Sequence, residues 1–424
     1  MAASDDRFTE RARAILRDSP LIDGHNDLAF ALRERVKGLR TSTVDLDSHV
    51  DGLDTDIARL REGGVGGQFW SVWVPADLPE LEALRMALEQ LDIVHRFVER
   101  YPDAFTLATT ADEVEAAFRA GRIASLIGLE GGSMIASSMA ALRQFHARGV
   151  RYMTLTHWRT TRWADAATDP PQHDGLTEFG REVVREMNRL GMLVDLSHVS
   201  PGTMAAALDV TEAPVIFSHS GARAVTDHVR NVPDEILRRV PANGGVVMAV
   251  FLSIFISNEV MAHMAPAQAA EDAYLAEHPD TPVAEIVATR KAWLGQHPAP
   301  RTSIGQVADH IDHLRDVAGI DHVGIGSDYD GGEVLSDGLE DVTGFPRLLG
   351  ELLRRGYSDD DVRKIAGGNL LRVMRGAEAV AKRLQGERGP SEATIEELDG
   401  PSTAERVGGA EGAEADGAGE AAGG

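Results

Sequence analysis

The stretch MLVDLSH at residues 192–198 and the stretch PVIFSHS at residues 214–220 decide the fold prediction. Each begins as a short apolar segment and runs into a histidine, His198 in the first and His219 in the second. The apolar residues are continuous rather than alternating, which is typical of strands that are buried on both faces of a parallel sheet. The two stretches therefore predict adjacent parallel strands with a histidine at each carboxyl end.

Six further apolar runs are similar to these two, and helical patterns separate most of the eight. The predicted strands are residues 21–23, 65–74, 124–129, 152–156, 192–196, 214–218, 246–251 and 322–326. Residues 176–190 are an example of an intervening helix with one apolar face. Eight strand-then-helix units with right-handed crossovers close into a (β/α)8 TIM barrel, an α/β fold.

A doubly wound open sheet is the competing architecture. It usually carries a glycine-rich turn between its first strand and first helix, and the sequence has no such turn there. The segment GGVGGQ at residues 63–68 lies before and within the second strand, where a tight turn explains it better than a phosphate loop.

The predicted organisation is one barrel domain, residues 1–385, with two additions. Residues 257–301 are a partly helical insertion after strand seven, which we expect to be a lid or an interface element. Residues 386–424 are rich in glycine, alanine and glutamate and have almost no apolar anchors. Such a composition cannot offset chain entropy, so this segment is predicted to be a disordered acidic tail.

The composition excludes several classes of partner and site. The chain has 424 residues, no cysteine and a net charge of −25. Disulfides and thiolate ligands are therefore excluded, and nucleic acid and anionic membranes are unfavourable partners. Residues 1–20 lack the apolar stretch of a signal peptide, and the longest mostly apolar run, 244–256, is too short to span a bilayer. We expect a soluble, cytoplasmic protein.

Acidic and imidazole side chains are concentrated where the predicted strands end. They are His25, Asp27, Glu130, His157, His198, His219 and Asp328. In a barrel these ends share one face, the face at which catalytic residues gather. Any one of these residues alone would usually be a satisfied polar group, but their convergence favours a metal site.

Three of these histidines and two of the carboxylates suit two zinc ions about 3.5–4 Å apart. His25 and Asp27 lie two residues apart on an extended segment and can bind one ion together. His198 and His219 follow adjacent strands and suit the second ion, and Glu130 has two oxygens with which to bridge the pair.

Other residues have simpler interpretations. His310 and His313 occupy positions i and i+3 of an amphipathic helix and are predicted to line a solvated face. Asp23 either hydrogen-bonds the adjacent loop or supports a ligand histidine. Trp70 is assigned to the core, and Trp73 either to the core or to a pocket wall.

Nine short motifs together resemble the renal (membrane) dipeptidase family, a branch of the metal-dependent hydrolase barrels. They are DGHND at 23–27, FWSVWVP at 69–75, LEGG at 129–132, LTH at 155–157, VDLSHVS at 194–200, PVIFSHS at 214–220, RNVPD at 230–234, GSDYDG at 326–331 and NLLRV at 369–373. They occur in the family's order over nearly the whole chain. The resemblance implies a zinc-dependent dipeptidase that tolerates a D-residue at the C-terminal position of small dipeptides, and it leaves open whether β-lactams are opened.

The resemblance also implies a ligand set for two Zn²⁺ per chain. His25, Asp27 and Glu130 would hold one ion, and Glu130, His198 and His219 the other, with a water or hydroxide as the second bridge and the attacking group.

Three residues acquire substrate roles from the same resemblance. His157 would contact the scissile group and stabilise the oxyanion, Arg230 would bind the substrate carboxylate, and Asp328 would be the catalytic acid and base. The resemblance assigns no role to Arg223, which lies four residues after His219. We consider it an auxiliary substrate-binding residue. The chain lacks the cysteines, signal peptide and lipid-anchor signal of vertebrate members, so attachment to a membrane is not expected, and a homodimer is left open.

Rival functions make different demands on the sequence. Deaminases and lactonase- or phosphotriesterase-like enzymes typically show His-x-His at strand one, whereas this chain has His25-Asn26-Asp27. Carboxylated-lysine sites need a lysine at a strand end, and none of the lysines lies at one. A metal-binding pseudoenzyme would lack the acid/base residue, yet Asp328 is present.

Overall fold

The strands of the protein form a closed parallel barrel. The computed structural model describes residues 2–36, 39–278, 281, 283–332 and 335–400. The strands are β1 (Leu21–Asn26), β2 (Val65–Trp73), β3 (Phe105–Leu107), β4 (Ile123–Glu130), β5 (Val150–Thr154), β6 (Leu193–Asp195), β7 (Ile216–Ser220), β8 (Val246–Ala249) and β9 (Val323–Ile325). The pairing order is β2-β1-β9-β8-β7-β6-β5-β4, and β2 also pairs with β4, which closes the ring. The (β/α)8 barrel prediction is confirmed.

Each of the eight predicted apolar runs overlaps one barrel strand, but the runs do not predict β3. This strand has three residues, of which only Phe105 is buried, and it pairs with β4 at the outside of the ring. So short and partly exposed a strand has no continuous apolar run, which is why the sequence pattern does not reveal it.

The helices lie along the chain before the first strand, between the strands and beyond the last one. They are α1 (Ala2–Leu16), α2 (Leu28–Arg35), α3 (Ile57–Glu62), α4 (Glu80–Arg100), α5 (Ala111–Arg119), α6 (Met139–Ala147), α7 (Glu178–Leu190), α8 (Pro201–Val210), α9 (Asp234–Leu237), α10 (Val240–Asn243), α11 (Ser253–Ile256), α12 (Asn258–Glu277), α13 (Val283–Gln296), α14 (Ile304–Ala318), α15 (Phe345–Arg354), α16 (Asp359–Arg363), α17 (Asn369–Glu387) and α18 (Ile395–Asp399). Short 3-10 turns cover Thr41–Thr43, Gly132–Ile135, Ile320–His322 and Val342–Gly344, and a π-helical turn covers Lys364–Gly368. None of the described helices is long and apolar enough to cross a membrane.

Helix α7 forms for reasons that are local. Its N-cap residue Thr177 accepts a hydrogen bond from the backbone N–H of Gly180, and its C-cap residue Gly191 has a φ of 77°, which favours glycine. The apolar residues Phe179, Val183, Val184 and Met187 are all buried against the barrel core. This helix agrees with the pattern of residues 176–190.

The strand register brings the carboxyl ends of the strands to one rim. Trp73, the last residue of β2, pairs with Glu130, the last residue of β4, and Glu130 pairs with Thr154, the last residue of β5. On the other side of β2, Asp23 in the neighbouring strand β1 pairs with Ile325 at the end of β9. Side chains that follow these positions therefore meet at the same face.

The barrel interior is filled by large side chains that face glycines. Tyr152 of β5 is fully buried, and a Cβ placed on Gly128 of the neighbouring strand would lie 2.0 Å from its ring. Similarly, a Cβ on Gly24 would lie 2.6 Å from the sulfur of Met248. These close approaches allow the interior to pack without voids while the Tyr152 hydroxyl reaches the rim.

The insertion after β8, the seventh of the predicted strands, is helical, as expected. Helices α12 and α13 are joined by an ion pair between Glu271 and Arg290, with an N–O distance of 2.6 Å. Val260 and Met264 of α12 are buried, whereas most of the other described side chains in these two helices are exposed or half-buried. Whether the insertion is a lid or an interface element stays a prediction.

The prediction that the disordered tail begins at residue 386 is wrong for the part of the tail that the structure describes. Helix α17 continues to Glu387, and α18 begins with a capping box between Thr394 and Glu397. Ile395 is only 3% exposed, and the buried Glu186 accepts a hydrogen bond from the backbone N–H of Ser391 (3.2 Å). One apolar anchor and a few specific hydrogen bonds order this segment, and average composition does not reveal them. Residues 401–424 lie outside the described residues.

The docking of α18 can be tested with two substitutions in the same helix. Ile395→Ala should lower the free energy of unfolding by about 2 kcal/mol, the lower end for deleting a buried isoleucine side chain. Leu398→Ala is the control, because Leu398 is 40% exposed, and it should change stability by less than about 0.5 kcal/mol. Urea unfolding measures both. Equal effects of the two substitutions would mean that α18 is not docked in solution.

Candidate metal centre

Seven buried side chains converge at the carboxyl rim of the barrel. They are His25 in β1, Asp27 after β1, Glu130 at the end of β4, His157 after β5, His198 after β6, His219 in β7 and Asp328 after β9. The structure thus brings together all the residues that the sequence assigns to metal binding, the acid/base role and the scissile group.

Glu130 lies at the middle of this cluster. Its Oε1 is 2.9 Å from His198 Nε2 and 3.4 Å from His219 Nε2, and its Oε2 is 3.3 Å from His25 Nε2. The two oxygens therefore face two different groups of nitrogen atoms. Burial alone would raise the pKa of the Glu130 carboxyl, but the electrostatic and hydrogen-bonding contacts with the surrounding histidines, His25 foremost, outweigh burial and hold that pKa well below its usual range.

The potential ligand atoms form three overlapping groups of three residues. In each group the atoms lie within 4.8 Å of one another. The groups are His25 with Glu130 and His219, Glu130 with His157 and His198, and His25 with Asp27 and Asp328. His157 and Asp328, to which the sequence assigns other roles, are therefore also within reach of a cation.

Several atoms at this rim fit a divalent cation better than they fit one another. His25 Nε2 and Asp27 Oδ1 are buried and have no hydrogen-bond partner in the described part of the chain, although buried polar atoms normally have one. Burial lowers the pKa of His198 and of His219 well below the usual value, so both rings are neutral, the form that binds metal. Imidazole nitrogen and carboxylate oxygen without sulfur are a donor set that zinc accepts.

Hydrogen bonds behind the histidines direct their Nε2 atoms towards the centre. His25 Nδ1 is 2.8 Å from the Tyr152 hydroxyl. Behind His219, the Ser218 hydroxyl donates to Asp195 Oδ2 (2.6 Å) and so accepts from His219 Nδ1 (2.9 Å). Outer hydrogen bonds of this kind select the tautomer of a ligand histidine. The sequence motifs contain Asp195 and Ser218, but only the structure shows what they support.

Asp23 supports the loop that carries Asp328, not a ligand histidine. Its carboxylate accepts hydrogen bonds from the backbone N–H (2.7 Å) and the hydroxyl (2.6 Å) of Ser327, and from Gln68 Nε2 (2.8 Å). Burial raises the pKa of Asp23 to about 6, against these hydrogen bonds. Asp23 thus fixes the residue that immediately precedes Asp328.

Two residues of the centre have a left-handed backbone conformation that side chains other than glycine rarely adopt. His198 has a φ of 66° and Asp328 a φ of 68°. Such strain persists only where surrounding contacts impose it, and it is common at functional sites. The carbonyl of His198 accepts a hydrogen bond from Ala167 N (2.7 Å), and Asp328 N donates to the His25 carbonyl (3.1 Å).

Arg230 lies buried beside the centre with part of its guanidinium unpaired. The residue is 1% exposed, and its Nη2 makes a long hydrogen bond of 3.4 Å to the His219 carbonyl. Its Nε and Nη1 have no partner among the described residues. Burial lowers the pKa of Arg230 to about 10, so the group stays protonated at neutral pH. A buried cation with two free donors is suited to an anionic ligand group.

Arg223 is only half-buried and is not part of this cluster. Its Nη2 donates to the Val229 carbonyl, and within the described chain no hydrogen bond or ion pair joins it to a proposed metal ligand. The structure therefore leaves its substrate-binding role a prediction.

Two tryptophans flank His157. Trp73 is half-buried, stacks on Phe30 with ring centroids 3.7 Å apart, and lies 5.5 Å from the His157 ring. Trp158 is 41% exposed, and its ring meets that of His198 edge to face at 5.3 Å. Trp73 thus belongs to the pocket wall, while Trp70 is core. Sequence reasoning missed Trp158, although its place directly after His157 is a signal.

The prediction of a solvated face is wrong for His310. This residue is fully buried, and its Nδ1 accepts a hydrogen bond from the backbone N–H of Ala222 (2.9 Å). His313 is half-buried and pairs with Asp234 (2.8 Å). The buried residues of α14 include Val307, His310, Ile311 and Leu314, a helical spacing that could have placed His310 on the inner face.

Comparison with known proteins supports the same assignment of fold and chemistry. The family model "Membrane dipeptidase (Peptidase family M19)" matches residues 9–388. Dipeptidase 3 of Rattus norvegicus is 40% identical over 405 residues, which are 94% of this chain and 73% of that protein.

Solved structures agree. Dipeptidase AC, a metallo peptidase of family M19, is 27% identical with a TM-score of 0.69, over 85% of this chain and 98% of that one. A metallo peptidase from Rhodobacter sphaeroides, liganded with a phosphinate mimic of L-Ala-D-Ala, is 25% identical with a TM-score of 0.69, over 85% and 99%. The probable dipeptidase PvdM from Pseudomonas aeruginosa has a TM-score of 0.73 at 22% identity, over 89% and 100%, and supports the fold alone.

These comparisons leave the cytoplasmic location a prediction without support, since the matched family is named for the membrane. They do favour peptide hydrolysis over the deaminase, lactonase- or phosphotriesterase-like and pseudoenzyme alternatives. With the buried histidine and carboxylate cluster at the barrel rim, they identify the chain as a metallodipeptidase that belongs to the membrane dipeptidase family, peptidase family M19.

Proposed function

We propose that the enzyme holds two zinc ions and hydrolyses the peptide bond of small dipeptides with the residues of this rim. The observation that carries the proposal is the position of Glu130, whose Oε1 faces His198 and His219 while its Oε2 faces His25. A carboxylate with nitrogen ligands on both sides suits a bridge between two ions. Asp27, 3.5 Å from His25 Nε2, would complete the first ligand set.

When bound, two zinc ions would lower the pKa of water towards about 7 and polarise a carbonyl group. The remaining steps belong to side chains of the protein. Asp328 Oδ1 lies 3.9 Å from His25 Nε2 at the edge of the proposed ligand set. Asp328 would accept the proton of that water and later transfer it to the nitrogen of the leaving amine.

His157 would stabilise the negative oxygen that forms as the carbonyl is attacked. Its Nε2 is 3.8 Å from Glu130 Oε1, and its Nδ1 is buried with no partner among the described residues. Burial lowers the pKa of His157, so the ring is neutral and has one N–H to donate. A positioned donor of this kind typically contributes several kcal/mol to the transition state, about 2.7–4 kcal/mol in measured cases.

Arg230 would bind the free carboxylate of the substrate and so favour cleavage of the bond next to a free C-terminal residue, as in a dipeptide. Its guanidinium has free donors at Nε and Nη1, and a guanidinium edge suits a carboxylate; the ligand residue His219 lies nearby. A peptide with more than one residue after the scissile bond has no carboxylate at that distance. Arg223 lies at the other end of the same loop region, and we propose for it an auxiliary role towards an acidic C-terminal side chain.

We also propose that the enzyme tolerates a D-residue at the C-terminal position. The support is the Rhodobacter sphaeroides neighbour, whose ligand mimics L-Ala-D-Ala. Turnover of L-Ala-D-Ala beside L-Ala-L-Ala tests this directly.

The stoichiometry of zinc is the first test of the proposed centre. Purified protein supplemented with zinc should contain two ions per chain by elemental analysis, and Glu130→Gln should lower the content of both sites because the bridge loses its charge. Glu186→Gln is the matched control, since Glu186 is a buried glutamate that pairs with Arg143 and Arg189 instead. One ion or none in the supplemented wild type would contradict the proposal.

The second test separates a proton-transfer role of Asp328 from a ligand role. Asp328→Asn should keep both zinc ions and lower kcat by at least about 100-fold, because the amide cannot accept the proton. Asp330→Asn is the control, since the Asp330 carboxylate accepts the backbone N–H of Asp54 (2.8 Å). Loss of zinc in step with activity would make Asp328 a ligand.

The third test concerns the carboxylate clamp. Arg230→Ala should lower kcat/KM for a dipeptide by roughly 30-fold or more through KM, as expected when one partner of a buried ion pair is removed. The dipeptide amide should already be a poor substrate of the wild type and should lose little more. Arg223→Ala should affect only dipeptides with an acidic C-terminal residue. Equal losses on dipeptide and amide would make Arg230 structural.

A further inference from the structure

The loop that carries Arg230 is held in a closed shape by its own backbone. This loop, residues 221–233, connects β7 to α9 and is called the clamp loop below. Its two ends are joined because Val232 N donates to the Gly221 carbonyl (2.9 Å) and Arg223 N donates to the Val232 carbonyl (3.0 Å). The position of Arg230 therefore depends on whatever fixes the start of this loop.

Asn231 joins the clamp loop internally and to α11. Its Oδ1 accepts from Gly221 N (2.9 Å), and its Nδ2 donates to the carbonyls of Thr226 (2.9 Å) and Phe255 (2.7 Å). The ring of Phe255 in turn lies under the guanidinium of Arg230, 5.4 Å from it.

His310 fixes the same loop from outside. It projects from α14, where its Nδ1 accepts from Ala222 N (2.9 Å) and its Nε2 lies 3.3 Å from the Thr226 hydroxyl. Because Nδ1 accepts a backbone N–H, the proton of the ring is on Nε2 and is available to Thr226. Burial lowers the pKa of His310 to about 4, so the ring is neutral at neutral pH. A Cβ on Gly221 would lie 2.9 Å from His310 Nδ1, so the loop passes close to the Nδ1 edge of the ring.

Apart from the contacts of the clamp loop, the Arg230 side chain is held by few interactions. Its one hydrogen bond to the described protein, from Nη2 to the His219 carbonyl, is 3.4 Å long. Its backbone N–H donates to His228 Nδ1 (3.1 Å), within the clamp loop itself. The loop backbone, rather than bonds at the guanidinium, thus sets where the charge lies.

We propose that His310 is a positioning residue for substrate binding: by holding Ala222 and Thr226 it places the Arg230 guanidinium where the substrate carboxylate binds. This inference rests on the proposed function, in which Arg230 binds that carboxylate. His310 bonds none of the proposed metal ligands; it contacts the clamp loop and, through a hydrogen bond to the backbone of Ile256, the end of α11.

The experiment compares a dipeptide with its C-terminal amide as substrates of three zinc-loaded variants. His310→Leu should lower kcat/KM for the dipeptide about tenfold through KM, the equivalent of one lost hydrogen bond to a buried N–H, and change the amide by less than about twofold. His310→Gln, whose Oε1 can accept from Ala222 N, should recover the dipeptide activity to within about threefold. His313→Leu, three residues further along α14, is the matched control and should leave both substrates unchanged.

Each outcome decides the matter. Equal losses on dipeptide and amide in His310→Leu, or no loss on either, would overturn the inference. If His310→Leu fails to fold, Thr226→Val serves instead, and an unchanged dipeptide-to-amide ratio there would overturn it as well. If the wild type hydrolyses the amide and the dipeptide with equal kcat/KM, the clamp role of Arg230 itself is refuted. This result can be told apart from a failure of the His310 proposal, because it is seen in the wild type without any variant.

Discussion

Glu130 carries its carboxylate into the buried rim of the barrel, 2.9–3.4 Å from the Nε2 atoms of His25, His198 and His219. An ionised carboxylate in such a place is costly unless positive charge surrounds it. Asp27 and Asp328 add two more carboxylates to the same cluster. Three carboxylates and four imidazole rings thus share one buried rim, a donor set that suits a divalent cation.

Several buried side chains of the barrel core also make hydrogen bonds that orient residues of the candidate metal centre. Tyr152 fills the interior and also bonds His25. Asp195, the buried last residue of β6, accepts four hydrogen bonds within 3.1 Å and orients His219 through Ser218. Asp23 in β1 does the same for the Ser327–Asp328 segment. The groups that donate to Asp195 are the hydroxyls of Thr154 and Ser218 and the backbone N–H groups of Ser197 and Ser218, so its carboxylate serves as an acceptor. Substitutions that look like core changes would therefore move the site.

The sequence predicts the barrel and the rim well because both depend on strong local patterns. A buried parallel strand is a continuous apolar run, and the residue that follows it must lie at the rim, so the pattern alone is enough to place His198 and His219. The supporting contacts cannot be placed in the same way. Asp23 could face the loop or a histidine, and only the register between β1 and β9 decides in favour of Ser327.

The remaining differences between prediction and structure arise where a single contact outweighs the average composition or polarity of a segment. The order of residues 386–400 depends on Ile395 and on Glu186, too few residues to alter the composition of an acidic segment. The polarity of His310 favours the solvated side of α14, although its spacing from Val307 and Leu314 puts it on the buried side. In both cases a polar residue has a specific partner that is distant in sequence.

The contact between Gly128 and Tyr152 has a consequence for how the sequence can diverge. A side chain at position 128 would collide with the tyrosine ring, and a smaller residue at 152 would remove the hydroxyl behind His25 Nδ1. Neither position can change alone without loss of packing or of ligand orientation. Among relatives the two positions should therefore covary, with glycine retained wherever the tyrosine is, and a double substitution at both should be far less damaging to the fold than the sum of its parts.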